Sequence, residues 1–314
     1  MKQVTHLLAI ADPSANLQPA ASKAALLAAR SSANLTLFVS DYDQHLSGER
    51  FFDSSALQRT RQHLIDRHRQ RLQEVADTVR AEVPGAAELN ISVDARWDNP
   101  RDEAILRKAA ECEADWIVKD THFHGLLHRT VFSNTDWELI RGSDKPLMLV
   151  KPTRWKDRPV IVVAVDPTHE RARPAQLDLR LLETAADLTG TLDGELHIFH
   201  ACDVAAAYAV SADSIAFPVS TPANGLADNL RQLHHDAFDE LLDQWKTDVS
   251  YQKHFVEAET RDAMLTLVEE LDADIVVMGA VSRNALQRVF LGSTAERVLD
   301  HLPCDLVVVK GSAG

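Results

Sequence analysis

The chain is written twice, and this constrains its fold more than any other feature. "HLLAIADPS", from His6, and "VIVVAVDPT", from Val160, are both apolar runs that end in Asp-Pro, at Asp12 and Asp166. "ADWIVKD", from Ala114, matches "ADIVVMG", from Ala273. "PLMLVK", ending at Lys151, matches "DLVVVK", ending at Lys310. From Ala114 to Lys151 the copies keep a constant offset of 159 residues. A repeat of this length is a whole domain rather than a solenoid unit, so each copy needs its own core. With 314 residues, 45% of them hydrophobic, two such cores are within reach.

Inside each copy, strand and helix patterns alternate. In the second, strands are expected at Pro159–Val165, Glu195–His200, Tyr251–Val256, Asp274–Met278 and Asp305–Lys310. Helical spacing falls between them, at Pro174–Thr189, Leu226–Lys246, Thr260–Leu271 and Ser293–His301. The first copy repeats this order, with a long charged helix at Ala56–Val83. Short, continuous Val/Ile-rich strands have both faces covered, and strand–helix alternation means a parallel sheet with right-handed crossovers. "KPTRWKDRP" is polar and proline-bounded. The expected division is therefore 1–151, a linker at 152–158, and 159–314.

At this point the residues resemble a known family. "VFLGSTAERVLDHLPCDLVVVK", from Val289, is similar to the universal stress proteins. The doubled layout, with "NTDWELI" in the first half, resembles their tandem, two-domain (UspE-like) branch. The resemblance implies an α/β fold: two doubly wound domains, each an open five-stranded parallel sheet of the adenine-nucleotide alpha-hydrolase-like type. It also implies an internal pseudo-dimer through the last strands, Leu147–Lys151 and Leu306–Lys310. Elementary physics agrees, because an apolar last strand is an open edge until something pairs with it.

Nucleotide-binding members carry G-x-x-G, nine residues, then G-[S/T]. In "MGAVSRNALQRVFLGST", Gly279 keeps the first place, Ser282 replaces the second glycine, and Gly292, Ser293 and Thr294 follow at the right spacing. Glycine there allows a sharp turn after the fourth strand and close approach to phosphate, and a helix N-terminus binds anions. Asp166 stands where the family's adenine-contacting aspartate would be. The resemblance thus implies ATP or ADP in the second domain, held by Val165, Asp166, Gly279, Val281, Ser282, Arg283, Gly292, Ser293 and Thr294. No metal is expected beyond nucleotide-associated magnesium. If the Ser282 position needs a positive φ, strain costs about 1–2 kcal/mol, and 1.4 kcal/mol is about tenfold in affinity. The matching first-half positions are Asp120, Phe123 and Ser133-Asn134-Thr135, where no nucleotide is expected. A plainer reading makes Gly279 a turn residue after the strand and Ser293 or Thr294 an ordinary N-cap.

Other constellations point to less. His122, His124 and His128 lie within seven residues and read as a histidine-rich loop after a strand rather than a metal site. His234 and His235 fall on adjacent faces of a helix. Asp12 reads as an Asx-Pro turn. The arginines of the long helix read as a solvated face paired with Asp66, Glu74 and Asp77. Ala201–Gly225 is long, apolar and carries only two charges, Asp203 and Asp213. Loops at the carboxyl ends of strands face the ligand crevice, so Val204, Tyr208, Val210, Ile215 and Phe217 are candidate pocket residues for an amphipathic, lipid-like or sugar-nucleotide ligand. No catalytic signature is present, so a ligand-binding stress-response protein is expected rather than an enzyme. A ligand-free protein–protein adaptor is the remaining alternative. Nearly all of the net charge of −14 falls in residues 156–314, which disfavours nucleic acid and anionic membrane. The polar N-terminus and three scattered cysteines read as a soluble cytoplasmic chain with reduced thiols.

Overall fold

The computed structural model describes residues 4–12, 18–42, 54–124, 129–168, 175–204, 223–280 and 301–311. The chain divides into two compact units, Met1–Phe123 with Val131–Thr153, and His124–Thr130 with Arg154–Gly314.

In the first unit the central sheet is β1 (His6–Ile10), β2 (Asn34–Asp41), β3 (Ile91–Trp97), β4 (Trp116–Asp120) and β7 (Leu147–Val150). All pairings are parallel, in the order β3-β2-β1-β4-β7. Helices α1 (Pro19–Ser31), α2 (Ser54–Glu82), α3 (Arg101–Glu111) and α4 (Asn134–Gly142) connect the strands. The histidine segment expected as a loop is instead strand β5 (His122–His124), paired with β6 (Arg129–Val131). Phe123, Thr130 and Val131 are the residue types that favour extended pairing. Residues 125–128, with His128, lie outside the described residues.

The second unit repeats the plan with β8 (Val160–Ala164), β9 (Glu195–Ala201), β10 (Tyr251–Val256), β11 (Ile275–Ala280) and β12 (Asp305–Lys310). The pairings are again parallel, in the order β10-β9-β8-β11-β12. Its described helices are α5 (Ala175–Leu192), α6 (Ala223–Gln244) and α7 (Thr260–Glu270). α5 runs three residues beyond the expected end, because Thr189, Gly190, Thr191 and Leu192 continue the turn and Leu192 is buried. The helix expected at Ser293–His301 lies almost wholly outside the described residues. The central strands are the core: Ile161–Val163 and Ile275–Val277 are fully buried, as are Leu8, Ile117 and Val118 in the first unit. Burying each such side chain stabilises by about 1.5–3 kcal/mol.

One carboxylate brackets each sheet at the amino ends of its strands. Asp115, just before β4, accepts from the Thr5 and His6 amides at the start of β1, at 2.8 and 3.3 Å. Asp274, just before β11, accepts from the Val160 amide at 2.9 Å and from the Lys156 amide at 3.1 Å. Their own amides donate back, to His6 O and Val160 O, both at 2.9 Å. The segment 152–158 is likewise tied down in its second half. Trp155 Nε1 donates to the buried Asp305 carboxylate at 2.8 Å, and Lys156 Nζ reaches Asp272.

Replacing Asp274 by Ala strands the Val160 and Lys156 amides. Asp274→Ala is expected to cost about 1–3 kcal/mol, and Asp274→Asn, which keeps one good acceptor, about half of that. Urea unfolding midpoints of the two variants check this ordering.

Candidate functional site

In the second unit the chain runs β8, β9, β10 to one side and then crosses to β11 and β12 on the other. The strand order therefore reverses between β8 and β11, which pair from Ile161 with Ile275 to Val163 with Val277. Ligands of open α/β sheets bind at the carboxyl ends of the strands at such a reversal. Three of the expected ligand residues come to this edge: Val165 and Asp166 just beyond β8, and Gly279 near the end of β11. Val281, Ser282, Arg283, Gly292, Ser293 and Thr294 lie outside the described residues. So do Tyr208, Val210, Ile215 and Phe217 of the expected apolar pocket. Val204 is half-buried, two residues past the buried Cys202.

The exit from β8 is tightly held. The Val165 amide donates to Phe199 O at 2.9 Å, and the Val165 carbonyl accepts from His200 Nδ1 at 3.1 Å. The Asp166 amide donates to Asp178 Oδ1 at 3.0 Å. Asp178 belongs to the first turn of α5 and is buried. The Asp166 carboxylate itself is exposed, and one of its oxygens accepts from Thr168 Oγ1 at 2.9 Å.

Gly279 is not the turn residue expected after the strand. It lies inside β11 and pairs with Val309 of β12, and its φ is not in the left-handed region. What it lacks is room. A Cβ there would sit 2.9 Å from Leu177 Cδ2 and 3.4 Å from Leu181 Cδ1, both on α5. The glycine leaves room for the Leu177 side chain of α5 against the sheet, a packing reason for its presence that needs no ligand.

The first unit fills the same edge with its own charges. Asp12 replaces nothing by itself: its amide and carbonyl are both held by the Gln18 side chain, at 3.3 and 3.0 Å. Asp120, at the position matching Gly279, accepts from the Ala20 amide at the start of α1 at 2.7 Å. Its other oxygen is buried without a hydrogen bond. Burial pushes the Asp120 carboxyl up to about 7, opposed by the Ala20 amide and Lys119. At the N-terminus of α4, Ser133 and Asp136 form a reciprocal capping box. Asp136 is fully buried and pairs with Lys119 Nζ at 2.7 Å. This helix start, where an anion would otherwise bind, already carries a carboxylate.

On α2, Arg69 pairs with Asp66 and Arg80 with Asp77, three residues apart in each case, as expected of a solvated face. Glu74 accepts instead from Gln70. Among the described residues Cys112, Cys202 and Cys304 form no disulfide. Among the described residues no three metal-ligating side chains converge, and no helix is long and apolar enough to cross a membrane. Reading the sequence passed over Asp178, Leu177 and His200. Asp178 carries a weak signal, an acid in the first turn of a helix. His200 carries none, since a histidine in an apolar strand looks like core.

Two predictions follow from these contacts. Gly279→Ala is expected to destabilise by about 1–3 kcal/mol through overpacking, and by less in a Leu177→Ala background. A double-mutant cycle on unfolding free energies reads that coupling. Asp120 holds its proton to a higher pH when folded than when unfolded, so its contribution to stability falls as pH rises from about 4 to about 7. Asp120→Asn is expected to flatten that slope and to raise stability at pH 8 by on the order of a few kcal/mol, measured by unfolding across pH.

Comparison with known proteins agrees with this architecture. The universal stress protein family profile matches residues 4–151 and again 158–310. Universal stress protein E of Photorhabdus laumondii is 28% identical over 313 residues, covering 99% of this chain and 96% of that protein. Universal stress protein E of Escherichia coli K12 is 28% identical over 314 residues, covering 99% and 95%. Among solved structures, a protein of unknown function from Pseudomonas aeruginosa PAO1 shares the fold with a TM-score of 0.69 at 22% identity, covering 98% of this chain and 92% of that one. A universal stress protein from Archaeoglobus fulgidus gives 0.63 at 17% identity, covering 98% and 99%. The two family matches fall on the two units, each with the parallel five-stranded sheet described above, and the chain accordingly belongs to the universal stress protein family, as a tandem of two such domains.

Proposed function

We propose that the second unit binds an adenine nucleotide, ATP or ADP with its magnesium, at the carboxyl-end edge between β8 and β11, and that the protein acts as a stress-response ligand binder in the cytoplasm rather than as an enzyme. The observation that carries the reading is Asp166. Its backbone is anchored by Asp178 while its carboxylate faces solvent with one oxygen free of any partner among the described residues. Such a group can accept from an exocyclic amine or a ribose hydroxyl. The spacing of Gly279, Gly292, Ser293 and Thr294 supports a phosphate seat beyond it, with Val281, Ser282 and Arg283 in the connecting stretch. Gly279 adds less than its motif position suggests, because its contact with Leu177 explains it without a ligand. The first unit, with Asp120 and Asp136 at the corresponding edge, is read as the non-binding half. Pairing of the two last strands into an internal pseudo-dimer belongs to the same proposal, on the sequence argument alone.

Calorimetric titration of the full chain with ATP and magnesium tests this. Asp166→Ala is expected to weaken binding about tenfold, the loss of one hydrogen bond to a charged group. Ser282→Gly is expected to tighten it by up to about tenfold. A wild-type chain and a Ser282→Gly chain that both ignore millimolar ATP overturn the nucleotide reading.

A further inference from the structure

The β8 exit in the second unit is held by a device that its first-unit counterpart lacks. In both units the residue after the first strand donates its amide to the neighbouring strand: Ala11 to Phe38 O and Val165 to Phe199 O, each about 3 Å. Beyond that point they differ. In the first unit Gln18, six residues on, holds both the amide and the carbonyl of Asp12. In the second, the carbonyl before the aspartate is held from the adjacent strand, by His200. The residue following Phe38 is Val39, which has no side-chain donor.

His200 is itself held. Its Nε2 lies 2.9 Å from His234 Nδ1 of α6, with the two rings stacked at 5.1 Å and 16°. Both are buried, at 2% and 5% exposure. The Phe238 and Phe255 rings flank His200, with centroids at 5.6 and 5.8 Å. The geometry determines where the protons are. A carbonyl can only accept, so His200 Nδ1 carries hydrogen. In a neutral imidazole Nε2 is then the acceptor, and His234 Nδ1 must be the donor. The alternative, a His200 imidazolium, buries a charge among phenyl rings and is disfavoured. The bonds therefore run in one direction, from His234 to His200 to the Val165 carbonyl.

We propose that His200, oriented by His234, is a positioning residue for the ligand seat: it fixes the Val165 carbonyl and thereby the point from which the Asp166 side chain leaves β8. The claim rests on the reading of that exit as a ligand seat. The Val165 amide, the Val165 carbonyl and the Asp166 amide are held by three separate bonds to two elements, β9 twice and α5 once. Only the carbonyl bond depends on a side chain that can be exchanged without touching Asp166 or its α5 anchor. Through it, α6 acquires a connection to the seat.

The test uses the full chain and needs no bound ligand to begin. Long-range 1H–15N correlation of the histidine rings is expected to show Nδ1–H tautomers for both His200 and His234. An Nε2–H tautomer for His200 overturns the proposal without any variant. Two substitutions then separate positioning from packing. Asn can present an amide N–H where His Nδ1–H stood, and Leu cannot. His200→Leu is expected to weaken ATP binding about tenfold, while His200→Asn stays within about threefold of wild type. Equal binding by wild type and His200→Leu overturns the proposal, as does an Asn variant as weak as the Leu variant. If wild type does not bind ATP, the nucleotide reading fails and the positioning claim is decided separately. The Val165 carbonyl 13C shift and Asp166 amide exchange should then change in His200→Leu and be restored in His200→Asn. Unchanged values in the Leu variant refute it.

Discussion

In both units the first and fourth strands of the sheet lie side by side although more than a hundred residues separate them. The contacts that join them span 110 positions from Thr5 to Asp115 and 114 from Val160 to Asp274. Chain connectivity does nothing to favour such a neighbour, and closing a loop of that length costs entropy that later contacts must offset. The bracketing carboxylates meet this constraint at the amino ends, where they bind the incoming strand's amides. The fully buried Val and Ile side chains meet it along the strands. Everything at the carboxyl ends follows. Because β1 sits against β4, and β8 against β11, the strand order reverses there and a crevice edge exists in each unit.

The two edges share a frame and differ in chemistry. In the second unit the side chains that reach the edge mostly secure the backbone, and Asp166 is left presenting its carboxylate to solvent. In the first, Asp120 and Asp136 turn carboxylates onto the starts of α1 and α4, and Lys119 neutralises one of them. At the matching strand position the second unit has Gly279 under the Leu177 side chain, and the first has Asp120, whose carboxylate accepts from the Ala20 amide.

Much of this could be read from the sequence. The repeat and the alternation of strand and helix patterns identified two α/β domains, since hydrophobic period and order are local signals. Tyr251–Val256 and Asp305–Lys310 were legible to the residue: Asp248 and Ser250 mark the start of the first, and Pro303 and Gly311 flank the second. The meaning of Gly279 was not legible. A glycine between a strand and a motif looks like a turn, and only the approach of Leu177, about a hundred positions earlier in the chain, reveals a packing requirement. The same holds for His200, whose role depends on a carbonyl and a ring supplied by β8 and α6. Side chains that act on distant backbone leave no periodic trace.

The capping box at Ser133 and Asp136 has a consequence for how the molecule responds to its surroundings. A ligand that binds only the folded state adds stability in proportion to the logarithm of its concentration. The start of α4, satisfied by its own carboxylate, gains nothing of this kind from an anion in solution. Under the proposed reading, in which the second unit takes the nucleotide, the two halves of the tandem would then differ in what their stability senses: the second would rise and fall with the metabolite pool, and α4 would give the first no such dependence.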